Sequence, residues 1–300
     1  MMTRLLRAAC HRYFKSRLFF ICAGFSLILG LWLGIHLYQE PYFADPHMWI
    51  AILELALIAI FVSLRVGTEY THGGFQRKVV SGTTKGSIFL SELFIVIASV
   101  SLLFLLCAGP IAAINARLIP NFRPEILFWF VFGMWLCSVS FAVTILTFAM
   151  LIPSRSIAAV MALLFLFGML IWNDTVTSRL EQPEQWESMR YDEDTDSFIT
   201  MLHKNEKYIR PPMRIYLESV DNCLPTTQLM FCTAALRSCF CSDEAWAQEW
   251  EGLPEQPPER SETVTQKEEQ TMREFPLYSS IWIVLITTAG FFLFRRKSLK

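Results

Sequence analysis

The stretch Leu93-Phe-Ile-Val-Ile-Ala-Ser-Val-Ser-Leu-Leu-Phe-Leu-Leu-Cys-Ala-Gly-Pro-Ile-Ala-Ala-Ile-Asn-Ala116 decides the fold. It runs for 24 residues without Asp, Glu, Lys or Arg. A bilayer core of about 30 Å requires about 20 apolar residues in a helix. A helix buried in a soluble core is shorter and keeps a polar stripe. Working outward, five more stretches read the same way: Leu18–Leu37, Met48–Leu64, Ile126–Ile152, Ser156–Asn173 and Phe275–Phe294. Glu54 is the one charged residue inside them. The chain is thus expected to be an all-α integral membrane protein with six transmembrane helices. Over its 300 residues 53% are hydrophobic and 18% charged, with mean hydropathy +0.38. Those figures exclude a disordered chain, a collagen and a small disulfide-knotted module. A formal net charge of −1 and a pI near 6.5 argue against a nucleic-acid partner.

Charge is segregated along the chain, and this predicts orientation. The segments 1–17, 65–86, 153–155 and 295–300 together hold 14 Lys and Arg against one acid, Glu69. The segment Asp174–Glu274 holds 10 basic and 21 acidic residues. Both termini are therefore expected on the cytosolic side, with an acidic extracytoplasmic domain over 174–274. Trp49, Trp129 and Trp172 fall near the outer ends of their spans, where an interfacial aromatic belt would place them. The first stretch follows a basic n-region, but Tyr38-Gln39-Glu40-Pro41 lacks a small-x-small cleavage site, so it reads as a retained span. Before it, Arg4, Arg7, His11 and Lys15 recur at spacings of three and four. Residues 1–17 are expected to form an amphipathic helix at the inner interface, the alternative being ordinary basic flanking.

The cytosolic loop 65–86 carries the most information: Arg-Val-Gly-Thr-Glu-Tyr-Thr-His-Gly-Gly-Phe-Gln-Arg-Lys-Val-Val-Ser-Gly-Thr-Thr-Lys-Gly. Glycines punctuate it, and Phe75–Ser81 has room for about two helical turns. The order Gly67-x-Glu69, Gly73-Gly74, Arg77-Lys78, Gly82 and Lys85, leading into a span, resembles the first cytosolic loop of type-2 ATP-binding-cassette (ABC) permeases. The ending Gly290-Phe-Phe-Leu-Phe-Arg-Arg-Lys-Ser-Leu-Lys300 is similar to that family's glycine, apolar run and basic tail. Two departures are Glu92, where the family often has Lys, and Gly74, where Thr is common. The resemblance implies a coupling helix that docks on a separate ATPase subunit. It assigns the docking surface to Glu69, Phe75, Arg77, Lys78, Gly82 and Lys85, with Arg155 in the short inner turn. It further implies a second permease subunit, and ATP and magnesium bound by the partner rather than by this chain. A bacterial plasma membrane would be the location.

The outer segment is too long and too patterned for a bare loop. Asp196–Lys207, Pro212–Val220, Thr226–Cys239 and Ser242–Glu251 read as short helices, and Glu255–Glu274 as a mobile stalk. Thr226–Leu236 is apolar enough either to rest on the outer leaflet or to pack within the outer domain. Cys223, Cys232, Cys239 and Cys241 permit three disulfide pairings. Cys223–Cys239 with Cys232–Cys241 avoids a tight bridge between near neighbours, while a reducing setting leaves four thiols. Their spacing does not suit zinc, and no metal site is expected.

Glu54 lies deep in a span, where a carboxylate is expensive and by default marks a pathway or a buried partner. It reads either as a polar point in a translocation route or proton-linked site, or as a protonated Glu hydrogen-bonded to a neighbouring helix. Glu92, nearer the inner interface, is expected to be solvated or to pair with Lys85. No His-Glu-x-x-His, Gly-x-Ser-x-Gly or phosphate-loop motif is present, so no catalytic residue is assigned. The reading is an ABC exporter permease that moves a hydrophobic or amphipathic substrate, a drug or antimicrobial peptide. The alternative is a non-transporting receptor that binds a ligand through its acidic outer domain.

Overall fold

A computed structural model describes residues 11, 15–39, 45–114, 124–180, 182–192, 197–240 and 262–297. The described elements, in chain order, are α1 (Arg17–Gln39), α2 (Asp45–Thr71), α3 (Gly74–Val80), α4 (Lys85–Ile114), α5 (Pro124–Leu151) and α6 (Arg155–Leu180). Then come β1 (Gln185–Asp192), β2 (Ser197–Lys204), α7 (Pro211–Cys223), α8 (Pro225–Phe240) and α9 (Glu262–Arg296). Six of the helices, α1, α2, α4, α5, α6 and α9, are long and apolar enough to cross a membrane. The entry segment 1–17 and the helix expected over Ser242–Glu251 lie largely or wholly outside the described residues.

Helix α5 forms the centre. Its residues from Leu136 to Met150 are almost all buried, and α2, α4, α6, α8 and α9 pack around it. Two hydroxyls join it to its neighbours. Trp135 Nε1 donates to Ser101 Oγ of α4, and Trp282 Nε1 of α9 donates to Thr144 Oγ1, each at 2.9 Å. Helix α1 stands at the edge and presses on α4. A Cβ on Gly30 would sit 2.2 Å from the Cys107 carbonyl oxygen, so only glycine permits that approach. Helix α2 packs on α5 and α6 and meets the α1–α4 pair mainly through α1. A seam therefore runs between α2 and the α1–α4 pair.

At the bundle end away from α3, the structure corrects two expectations and differs from a third. Asp196–Lys207 was expected as helix, but Ser197–Lys204 forms β2, paired antiparallel with β1 in the register Tyr191↔Phe198 through Gln185↔Lys204. Phe198, Ile199 and Thr200 favour extended backbone, and a helix there would strip β1 of its only ladder partner among the described residues. The stalk expected over Glu255–Glu274 is helical from Glu262 onward and continuous with the last span. Its Glu-, Gln- and Lys-rich run holds good helix formers and no Gly, and Pro enters only at Pro276. Residues 255–261 lie outside the described set.

The third difference concerns α8, which packs against the spans rather than only within a separate outer domain. Its first turn inserts among the spans. Cys137 Sγ donates to the Pro225 carbonyl at 2.8 Å, Phe231 meets Phe275 edge-on at 4.9 Å, and Ser279 Oγ donates to Gln228 Oε1. The apolar run seen in sequence thus serves bundle packing. Thr226, Thr227 and Gln228 are buried with it, and each donates a hydrogen bond, Thr226 to the Met169 carbonyl of α6, Thr227 to Asp221 and Gln228 to the Asn222 carbonyl. Cys223 and Cys232 carry free thiols; Cys241, and the side chain of Cys239, the partners considered for them, lie outside the described residues. Burial pushes the Cys232 thiol up to about 12.

Candidate functional site

Helix α3 is a two-turn element held at the end where α2, α5 and α9 finish and α1, α4 and α6 begin. Its bounds follow from glycine. Gly73 takes φ +64° at the turn from α2, and Gly82 takes φ +85° after the C-cap. Gly82 N–H donates to Val79 O at 2.9 Å and Thr83 N–H to Lys78 O at 3.0 Å, the paired bonds of a glycine-terminated helix. Gly74 has a different role. A Cβ there would stand 2.3 Å from Glu69 Oε2, so its absence lets α3 sit directly on that carboxylate.

The buried face of α3 presents Phe75 and Lys78. The Phe75 ring meets Tyr70 at 4.7 Å and Phe294 at 6.1 Å, joining α2, α3 and α9. Lys78 Nζ lies 5.1 Å from the Phe75 ring centroid. It reaches Glu92 Oε1 of α4 at 2.9 Å and Glu69 Oε2 of α2 at 3.1 Å. Arg65 Nη1 contacts Glu69 Oε1 at 3.3 Å, and Arg65 Nη2 approaches Glu92 Oε2 at 3.9 Å. Two cations and two carboxylates thus alternate around a quartet among the described residues, each at most one-tenth exposed. Buried charge is tolerated when it is paired and neutral in sum. The quartet ties α3 to both sides of the seam.

Three basic residues finish helices at this end. Lys297 Nζ donates to Tyr70 Oη at 2.9 Å, Leu151 O at 3.0 Å and Met150 O at 3.1 Å, and lies 4.4 Å from the Tyr70 ring centroid. Tyr70 Oη also donates to Met150 O. Burial pulls the Lys297 ammonium below its ordinary pKa. Lys85 Nζ donates to the carbonyl of Lys297 at 2.5 Å, and Arg77 Nη2 to that of His72 at 2.5 Å. Cations at C-terminal carbonyls complement the helix dipoles.

The structure divides the residues assigned to docking. Glu69, Phe75 and Lys78 are buried in the quartet and the aromatic contact, so they face inward. Arg77, Gly82 and Arg155 are exposed, and Lys85 is half-buried. Arg155 also closes the contact with α2: a Cβ on Gly67 would lie 2.6 Å from the Arg155 Cα. Glu92 does not pair with Lys85; at 1% exposure it belongs to Lys78 and Arg65. The physical reason is the Gly82 turn, which folds α3 back over the first turns of α4. Arg65, Tyr70 and Lys297 were not singled out in sequence. The i,i+4 spacing of Arg65 and Glu69 was the available signal, obscured because the span was ended at Leu64 whereas α2 continues to Thr71.

Exposed to the outer side of α3 are Gln76, Arg77, Val80 and Ser81, with Val80 88% exposed. Glu54 lies far from this site, buried within the bundle against Ser26 of α1. Among the described residues, no group of three or more His, Cys, Asp or Glu is placed to hold a metal. In comparisons with known proteins, no protein-family model matches the chain, and no curated protein matches it in sequence.

Proposed function

We propose that the chain is the membrane-spanning permease subunit of an ATP-driven ABC exporter, with the α3 end on the cytosolic side. The observation that carries this reading is α3 itself. A two-turn helix is clamped to α2 and α4 by a buried quartet of two cations and two carboxylates while its opposite face is exposed. A cytosolic loop with no mechanical task has no need for such a clamp. A push on Gln76, Arg77 or Val80 would pass through Lys78 into two spans on opposite sides of the seam. The ATPase, with its ATP and magnesium, is a separate partner docking on that face and on Arg155. Two permease subunits complete the assembly. The substrate class is hydrophobic or amphipathic, a drug or antimicrobial peptide, in keeping with an acidic outer segment that attracts cationic amphiphiles.

The test is a mild-detergent pull-down of the full chain from its native membrane, with mass spectrometry of what co-purifies. A near-equimolar phosphate-loop ATPase is expected. It should be lost when Arg77→Glu and Val80→Asp are combined, two exposed changes that leave the quartet intact. Absence of any ATPase, or its retention by the double variant, would overturn the reading.

A further inference from the structure

One ionisable side chain inside the bundle takes no part in the α3 site. Glu54 lies ten residues before Leu64 and five after Trp49, about 15 Å and about 8 Å along the helix, so it is deep within the apolar stretch. It is 6% exposed and faces α1 across the seam, where Ser26 Oγ, itself fully buried, stands 3.1 Å from both Oε1 and Oε2. Among the described residues no Lys, Arg or His forms an ion pair with it. The titratable groups near it among the described residues are two buried thiols, Cys22 of α1 and Cys107 of α4. Helices α5, α6 and α8, packed on other faces of α2, bring no charged side chain to it among the described residues.

The hydrogen-bond arithmetic favours a neutral carboxyl. A serine hydroxyl has one hydrogen and can donate to only one of the two oxygens 3.1 Å away. A protonated carboxyl supplies the second bond by donating to Ser26 Oγ while accepting from it. An ionised carboxylate here would be an unpaired charge in a medium without water, the arrangement buried charges avoid. It could regain solvation only by opening the seam. Gly30 and Gly34 press α1 against α4, so opening would carry α1 and α4 away together.

We infer that Glu54 is a proton-binding site which, when protonated, latches the α1–α4 pair onto α2 through Ser26 and, when ionised, releases it. Proton binding and closure are linked: whatever holds the seam open lowers the site's hold on its proton, and the reverse. This does not rest on an ATPase partner and stands or falls separately from the transport reading.

The test uses the full chain in phosphatidylcholine–phosphatidylglycerol vesicles and the apolar probe dicyclohexylcarbodiimide. A carboxylic acid adds across one C=N bond, its oxygen bonding to the central carbon and its proton passing to nitrogen. The O-acylisourea then rearranges to a stable N-acylurea with no atom lost. Mass spectrometry should find the adduct on Glu54 at neutral pH, and its yield should fall about tenfold per pH unit once the site ionises. Spin labels on lipid-facing positions of the two helices, Ile28→Cys and Leu53→Cys, should separate over the same pH range. In Glu54→Gln, whose amide still bonds Ser26 but cannot ionise, that distance should stay short throughout. No adduct at neutral pH, a wild-type distance that ignores pH, or a Glu54→Gln variant that opens like the wild type would each overturn the inference.

Discussion

Two polar bridges cross the same seam, and they are built in opposite ways. Near α3, Arg65, Glu69, Lys78 and Glu92 set four charges against one another, each within 4.0 Å of a partner of opposite sign. Further along α2, Glu54 meets the Ser26 hydroxyl and, among the described residues, no cation. A cancelling quartet is tolerated when complete and costly when any member is missing, because the remainder is a buried net charge. A carboxyl–hydroxyl pair can be made and unmade by one proton. The first suits a joint that must hold while force passes through it, the second a joint that opens.

The largest effect follows from breaking the quartet. Glu92→Ala removes the carboxylate that Lys78 and Arg65 both face and should cost about 3–5 kcal/mol, as single deletions from buried ion pairs do. In detergent this would read as a sharp loss of the monodisperse species on heating. Ser26→Ala should cost less, about 1–3 kcal/mol, by leaving Glu54 without its partner. Glu54→Gln should lie nearer the wild type than Ser26→Ala, measured as Tm at neutral pH. If Glu54→Gln proved as damaging as Glu92→Ala, the contrast between the two bridges would fail.

Asp221, off the seam, provides a control. Burial raises its carboxyl above the ordinary range, partly offset by Thr227 Oγ1, which donates to it at 2.9 Å. With its folded pKa above its unfolded one, its contribution is present in acid and lost as pH rises through the folded value. The Tm of the wild type should therefore carry a downward step over that range. Asp221→Asn should remove the step without affecting either bridge. The smallest stability effect is expected for Arg77→Ala on the exposed face of α3, where Tm should stay near the wild-type value while ATPase recovery falls.

Much of the fold could be read from the chain because membrane spans are set by length and apolarity alone. All six stretches appear as helices, with α2 and α6 running past the apolar boundary to Thr71 and Leu180. Those extensions were hidden because charged and polar residues end a hydropathy segment without ending a helix. The short helix at Phe75–Ser81 was legible from its glycines, and it falls within a residue of α3. Which of its cations faces inward was not. Arg77 and Lys78 are adjacent in sequence, yet one is exposed and the other joins Glu69 and Glu92. That choice depends on the Gly74 contact with Glu69 and the fold-back at Gly82, which are tertiary facts. The hairpin was missed because its pairing is between segments and leaves no helical or strictly alternating period to read.

The most direct test of the account is a double-mutant cycle on the quartet, with Lys78→Met, Glu92→Gln and the two combined, each measured as thermal stability of the full chain in one detergent. A charge-neutral clamp predicts that either single change is severe and that the combined variant, neutral again, recovers toward the wild type. Losses that simply add would contradict it, and α3 would then be held by the packing of Phe75 rather than by charge.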